Sequence, residues 1–213
     1  MIYTKFSYLY PPRPEKAIPS RLFRFYEDRK FVAQAKKNGT CNVIAVSPDR
    51  TIHAMTRHAV EHKAWQPNHQ TRATFQNLPG DGWYVFVAEL MHSKISGLRN
   101  TNYINDILVS NGEYLIGSTF AARQKLLQKL FPNCEEDSSG THYIIDEQTW
   151  LAKNHTTGFL KFFTSMASDK SGNHENEGLV LKDPNATLAI CSKPNSNSAW
   201  MVKCRHPTSV LAF

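Results

Sequence analysis

Lys36 stands two residues before Asn38 and three before Gly39, in the stretch FVAQAKKNGT (31–40). A lysine is unreactive while protonated, near its ordinary pKa of about 10.4, and becomes a nucleophile when its surroundings favour the neutral amine. Its neighbour Lys37 ends the same apolar run, and two lysines ahead of an Asn-Gly turn also describe a plain solvated strand end. A chemical site should reappear as complementary residues on other elements, and it does. Glu89 closes WYVFVAEL (83–90), Glu177 and Lys182 bracket EGLVLK (177–182), and Lys203 and Arg205 alternate in WMVKCRH. Alternation by two puts both of those cations on one face of a strand. Lys182, Lys203 and Arg205 near Lys36 would favour its neutral amine, the form required for covalent catalysis.

The elements that must carry these residues are mostly strands. The segment with Pro11, Pro12, Pro14 and Pro19 cannot be a regular helix and is expected to wrap over the surface. FRFYEDRKFVAQAK offers two short strand-like runs, the second ending at Lys36. CNVIAV (41–46) and TIHAMT (51–56) read as a β-hairpin joined by SPDR, followed by a polar connection and a short helix over TRATFQNL. WYVFVAEL is a strand, and YINDILVS and EYLIG flank Asn111-Gly112, the strongest short-range hairpin signal. In STFAARQKLLQKLFP, Ser118 is placed to cap a helix with Phe120, Leu127, Leu130 and Phe131 on one face, and Pro132 stops it. HYIIDE follows as a strand and TTGFLKFFTSMA as a mostly buried helix. EGLVLK (177–182), ATLAIC (187–192) and WMVKC (200–204) are expected to close the chain as three strands. Strands outnumber helices and no internal repeat appears, so the fold class is α+β, packed antiparallel sheets with a few helices against them.

A chain of 213 residues suits one domain with a sizeable core. The 25 Lys and Arg against 18 Asp and Glu give a formal charge of +7, which favours an anionic partner such as nucleic acid. Cys41, Cys134, Cys191 and Cys204 form no CxxC pair and MIYTKFSYLYPPRPEK lacks the apolar core of a signal peptide, so reduced thiols and a cytoplasmic location are expected. No run reaches the roughly 18 apolar residues of a membrane helix. His58 and His62 lack further zinc ligands at suitable spacing, and no GxxxxGK[ST] is present.

Taken in order, K-x-N-G at 36–39, Arg57 after the hairpin, AEL at 88–90, NDILVSNGEYL to ARQKLL at 105–127, EGLVLK at 177–182 and VKCR at 202–205 resemble the covalent nucleotidyltransferase superfamily. That superfamily comprises ATP-dependent DNA ligases, RNA ligases and mRNA capping enzymes. The resemblance covers nearly the whole chain and implies a ligase-type nucleotidyltransferase domain with an ATP-grasp-like core over 1–213. By that match Lys36, rather than Lys37, attacks the α-phosphate of a nucleotide to form a phosphoramidate. Lys182, Lys203 and Arg205, with Mg²⁺ or Mn²⁺, would stabilise the phosphate charge. Glu177 would hold the metal, joined by Glu89, which also lies near the ribose. Arg57 would contact nucleotide or an incoming 5′-phosphate, and Asn38 and Gly39 complete the nucleotide-binding motif. Many relatives stack an aromatic residue on the base where this chain has Asn105; Tyr103 would share that strand face. Gln34, two before the lysine, could pair with a base edge through its amide.

The resemblance implies an ATP-dependent polynucleotide ligase acting through lysyl-AMP. KKNGT with Asn42, EGLVLKD and VKCR slightly favours RNA strands, and the ARQKLL helix looks more like a DNA ligase sealing nicks. A capping guanylyltransferase, or a nucleic-acid-binding protein that has lost catalysis, is the alternative. The sequence ends eight residues after Arg205, so no OB-fold domain is expected. The expected partner is a nicked duplex or RNA ends, bound by a monomer, and so compact a ligase would suit a virus acting in a host cytoplasm.

Overall fold

A computed structural model describes residues 9–63, 65–91, 98, 100–167, 175–191, 193 and 196–207. In chain order these form β1 (Pro14–Ala17), α1 (Phe23–Asp28), β2 (Val32–Lys37), β3 (Gly39–Val46), β4 (Ile52–Met55), α2 (His69–Gln76), β5 (Tyr84–Met91) and β6 (Asn102–Ser110). There follow β7 (Glu113–Tyr114), α3 (Phe120–Leu130), β8 (Glu135–Glu136), β9 (His142–Asp146), β10 (Thr149–Ala152), α4 (Phe159–Ala167), β11 (Asn176–Lys182) and β12 (Ser198–Arg205). They build a small sheet ordered β1-β12-β11-β2 and a large one ordered β4-β3-β5-β6-β10-β9-β8, with β7 beside β6. Pairing is antiparallel except for β1 with β12 and β6 with β10. The fold is therefore α+β with predominantly antiparallel sheets. No helix among the described residues is long and apolar enough to cross a membrane.

The chain passes from the small sheet to the large one at Asn38, between β2 and β3. Each sheet has its own core. Ile44, Phe86 and Ile107 of the large sheet pack with Phe75 of α2 and Leu127 of α3, all fully buried. Behind the small sheet, Ala33 and Ala35 alternate with Leu179 and Leu181 against α1 and α4. Small residues on β2 admit the aromatic rings there, with Phe23 edge-on to Phe163 at 5.2 Å. The opposite face of β2 is thereby left to Gln34 and Lys36.

The hairpins at 41–56 and about Asn111-Gly112 form as expected, the second with both residues at positive φ (47° and 83°), as a tight β-hairpin turn needs. Four expectations are corrected, and one strand was not foreseen. Residues 23–28 are helical, not a strand, because Phe23 and Tyr26, three apart, bury together beneath α4. The helix cap is Thr119, not Ser118: Thr119 has the extended backbone of a cap and its hydroxyl accepts from Ala122 N at 3.2 Å. Residues 187–191 are not a regular strand; Thr187 and Cys191 make only isolated bridges, to Thr119 and Leu9. The proline-bearing start does not merely cover the surface. Pro14–Ala17 adds an edge strand, a position that tolerates proline. Thr149–Ala152 is a strand that the sequence reading missed, paired to both β9 and β6.

A bulge in β11 falls between Asn176 and Gly178, leaving Glu177 as the extra residue opposite β2. Gly178 takes φ 138°, and a Cβ there would meet Cys204 O at 2.0 Å. Both facts require glycine. Gly178→Ala is expected to lower stability by at least about 2 kcal/mol, measured by urea unfolding, since backbone strain and a backbone clash add.

Candidate active site

Three cross-strand rungs of the small sheet set out the site. Lys36, Gly178 and Arg205 lie level with one another, then Gln34, Val180 and Lys203, then Val32, Lys182 and Met201. Steps of two keep each strand's contribution on one face. The facing wall comes from the large sheet, with Glu89 on β5, Tyr103 and Asn105 on β6, and Cys41 on β3. Between the walls is a cleft of about 250 Å³. The sequence-derived residues Gln34, Lys36, Arg57, Glu89, Tyr103, Lys182, Lys203 and Arg205 all line it.

Lys36 Nζ donates to Glu177 Oε2, and Arg205 Nε reaches the same oxygen at 3.1 Å. The bulge at Glu177 brings this carboxylate between the two cations. Lys36 therefore has an acid as its immediate partner, where the sequence suggested surrounding cations. Of those cations Arg205 shares the Lys36 rung, Lys203 lies one rung away and Lys182 two; burial, then Arg205, Arg13 and Lys36, hold the Lys203 ammonium below its usual range. Lys182 is buried, 4.6 Å from the Phe120 ring, and donates to Asn105 O at 3.2 Å. Desolvation lowers its pKa to about 8, with Asp106 opposing that shift.

Glu89 is half-buried, and desolvation raises its pKa to about 7 against the pull of Lys36. A carboxyl raised in this way keeps its proton in the folded chain after the unfolded chain has lost it. Folding stability therefore falls as pH rises from about 4.5 to about 7. Glu89→Gln is expected to be more stable than the parent by about 2 kcal/mol at pH 8 and equal to it at pH 4, measured by urea unfolding at both pH values.

Asn38 and Gly39 do not line the cleft. Asn38 makes the crossing between sheets, its N–H bonded to Glu175 O at 2.8 Å. A Cβ on Gly39 would meet Leu90 O at 2.4 Å, so glycine is what lets β3 start close against β5. Arg57 is tied by its guanidinium to the carbonyls of Pro11 and Pro12. Tyr103 is 2 % exposed and lies 5.4 Å from Lys37 Nζ, so it forms the floor of the cleft and offers no free ring face. Lys37 turns away from Lys36, into a buried bond with Thr141 and a pair with Glu175.

Sequence reasoning missed Arg13, which the edge strand brings into the cleft beside Lys203. It also missed the buried pair Asp106–Arg123 and the amides Gln124 and Asn154 behind Gln34. Only the spacing of Arg123 and Gln124 on the inner side of α3 hinted at them. Two carboxylates, Glu89 and Glu177, flank Lys36, while no three acidic, histidine or cysteine side chains converge among the described residues. Two acids suit Mg²⁺ or Mn²⁺, hard cations that take one or two carboxylates and leave other positions to phosphate and water.

No family model and no curated protein matches the chain. Solved structures do. The ligase domain of M. tuberculosis LigD aligns with TM-score 0.63 and 18% identity over 94% of this chain and 62% of its own. A mycobacterial DNA ligase D complexed with ATP and MES gives 0.63 and 17% over 94% of this chain and 61% of that one. The ATP-dependent DNA ligase from bacteriophage T7, in complex with ATP, gives 0.55 and 12% over 93% and 68%. The chain thus spans about three fifths of the length of the mycobacterial structures. At these identities the likeness speaks for architecture alone: the chain has the fold of these DNA ligase structures.

Proposed function

We propose that this chain is the adenylation domain of an ATP-dependent polynucleotide ligase, with Lys36 as its nucleophile. The observation that carries the reading is that Lys36, Glu89, Lys203 and Arg205 line one cleft while Glu177 is bonded to both Lys36 and Arg205, four separate strands contributing. The presence of ATP in two of the compared structures supports ATP as the donor.

Lys36 Nζ gives up one proton to solvent, leaves Glu177 and attacks the α-phosphorus, and a second proton passes from the nitrogen to solvent to leave a neutral phosphoramidate N–H. A P–N bond forms as the P–O bond to pyrophosphate breaks. Lys203, Arg205 and Arg13 stand where phosphate oxygens would gather, and Lys182 adds charge one rung further on. Glu89 and Glu177 would hold the divalent cation, which when bound supplies positive charge to the phosphate oxygens. In the second step a 5′-phosphate oxygen attacks the same phosphorus, the nitrogen takes up a proton from solvent, and the P–N bond breaks, returning the amine. In the third, a 3′-hydroxyl attacks the 5′-phosphorus, AMP departs, and the hydroxyl proton passes to solvent.

The test is to incubate the protein with Mg²⁺ and α-labelled ATP or GTP, denature it, and look for label on the chain. Label from ATP, chased by nicked DNA or nicked RNA into a sealed strand, is the expected result. The compared structures are DNA ligases, so nicked DNA is the first acceptor to offer. Label from GTP would move the function to capping. No label, from protein first treated with pyrophosphate to remove any bound AMP, would overturn the ligase reading and favour a basic nucleic-acid-binding domain.

A further inference from the structure

Gln34 is 2 % exposed, lines the cleft one rung from Lys36, and ends in three linked amides. The orientation of these amides follows from one atom that cannot flip. Asn105 O is a backbone carbonyl and accepts only, so Gln124 must turn Nε2 toward it, at 3.2 Å. Gln124 Oε1 then faces Gln34 and Asn154. It accepts from Gln34 Nε2 at 3.1 Å and Asn154 Nδ2 at 3.3 Å, and Asn154 Oδ1 takes the second hydrogen of Gln34 Nε2 at 2.9 Å. Both N–H groups of Gln34 are spent. A flipped Gln34 would set its oxygen against two other oxygens at these distances, a cost in a buried site. Among the described residues nothing donates to Gln34 Oε1, so what Gln34 has left to offer a ligand is an acceptor.

We propose that Gln124 and Asn154 are positioning residues that set base specificity: they lock Gln34 with Oε1 as the acceptor, so the cleft takes a purine with a 6-amino group. This rests on the reading of the cleft as a nucleotide site. The phosphates belong with the cations Lys36, Arg205 and Lys203, and the base with the apolar side chains of Val180 and Met201 on the side of the cleft that holds Gln34, two strands across from Lys203. Adenine presents an N–H to the waiting oxygen. A 6-oxopurine presents a second acceptor, and the locked amide cannot turn to meet it.

Affinities for ATP, ITP and purine riboside triphosphate are to be measured by competition against a fluorescent ATP analogue, in the parent, Gln124→Leu and Asn154→Leu. Covalent labelling is followed separately. The parent is expected to prefer ATP over ITP by about tenfold or more, with purine riboside triphosphate between them. In Gln124→Leu the ATP to ITP ratio is expected to fall to within about threefold of one, because Asn154 can then turn its own amide and Gln34 regains the freedom to present Nε2; in Asn154→Leu, where Gln124 Oε1 still faces Gln34, the ratio is expected to fall only part of the way, by about threefold. Asn154, half-buried, serves if Gln124→Leu does not fold. A parent ratio near one would overturn the proposal. So would variants that lose ATP and ITP affinity in equal measure, as a purely structural role requires. Discriminating binding without covalent label would sink the ligase reading and leave this one standing. Label with an unchanged ratio would do the reverse, and no binding of any nucleotide overturns both.

Discussion

Lys36→Ala will leave the denatured chain unlabelled by α-labelled ATP, a loss of at least about a thousandfold when a nucleophile is removed, while its stability changes by less than about 1 kcal/mol. The contrast with Lys37→Met makes the prediction sharp. Glu177 keeps Arg205 at 3.1 Å when Lys36 is gone, so little in the fold depends on the Lys36 ammonium. Lys37 is the opposite case. Its side chain is fully buried, paired with Glu175 and set 5.4 Å from the Tyr103 ring and 5.3 Å from that of Trp150. Burial, partly offset by Glu175, holds its pKa below the usual lysine range. Lys37→Met should therefore cost about 2 kcal/mol or more in stability and retain the label, since removing one member of a buried pair strands the other. Label lost from Lys37→Met and kept by Lys36→Ala would reverse the assignment of the nucleophile.

Asp106→Ala is expected to destabilise the domain by about 3 to 5 kcal/mol, read from the urea midpoint at constant slope. Arg123 Nε and Nη2 meet the two Asp106 oxygens at 2.8 and 2.9 Å, and Nη1 donates to Ser118 O at 2.7 Å. Arg123 is 1 % exposed and Asp106 2 %, with the guanidinium 5.7 Å from both the Phe120 and the Trp200 rings. Water cannot compensate either partner when the other is removed. Replacing the pair together, as Asp106→Leu with Arg123→Met, should cost less than the single change, because no buried charge is left alone. A single variant within about 1 kcal/mol of the parent would show that the pair does not anchor α3 to β6.

How much of this was legible in the sequence depended on the range of the interactions. The strands carrying Lys36, Glu89, Glu177 and Lys203 announced themselves by local apolar patterning, and Asn111-Gly112 fixed a hairpin by its own backbone preferences. Residues 23–28 were misread because two aromatic residues three apart suit a helix only when something waits to cover them, here α4. The same holds for the site. The order of motifs pointed to Lys36 and its partners, whereas the bulge that aims Glu177, the edge strand that delivers Arg13 and the amides behind Gln34 arise from pairings between segments far apart in the chain. Tyr103 had the right strand face for a stacking role, and only the packing of Lys37 beneath it shows why that face is not free.

The crossing at Asn38 has a mechanical meaning. Lys36 is the penultimate residue of a strand of one sheet and Gly39 begins a strand of the other, so at this point the two walls of the cleft, like jaws, are joined through Asn38 alone, two residues from Lys36. Lys36 rides with Glu177 and Arg205, its neighbours in the same sheet; Glu89 belongs to the opposing jaw. A small rotation of one sheet on the other would keep the Lys36–Glu177–Arg205 group intact and change its separation from Glu89. Gape therefore governs how far apart the two carboxylates stand, and with it the room between them for a cation and a chain of phosphates.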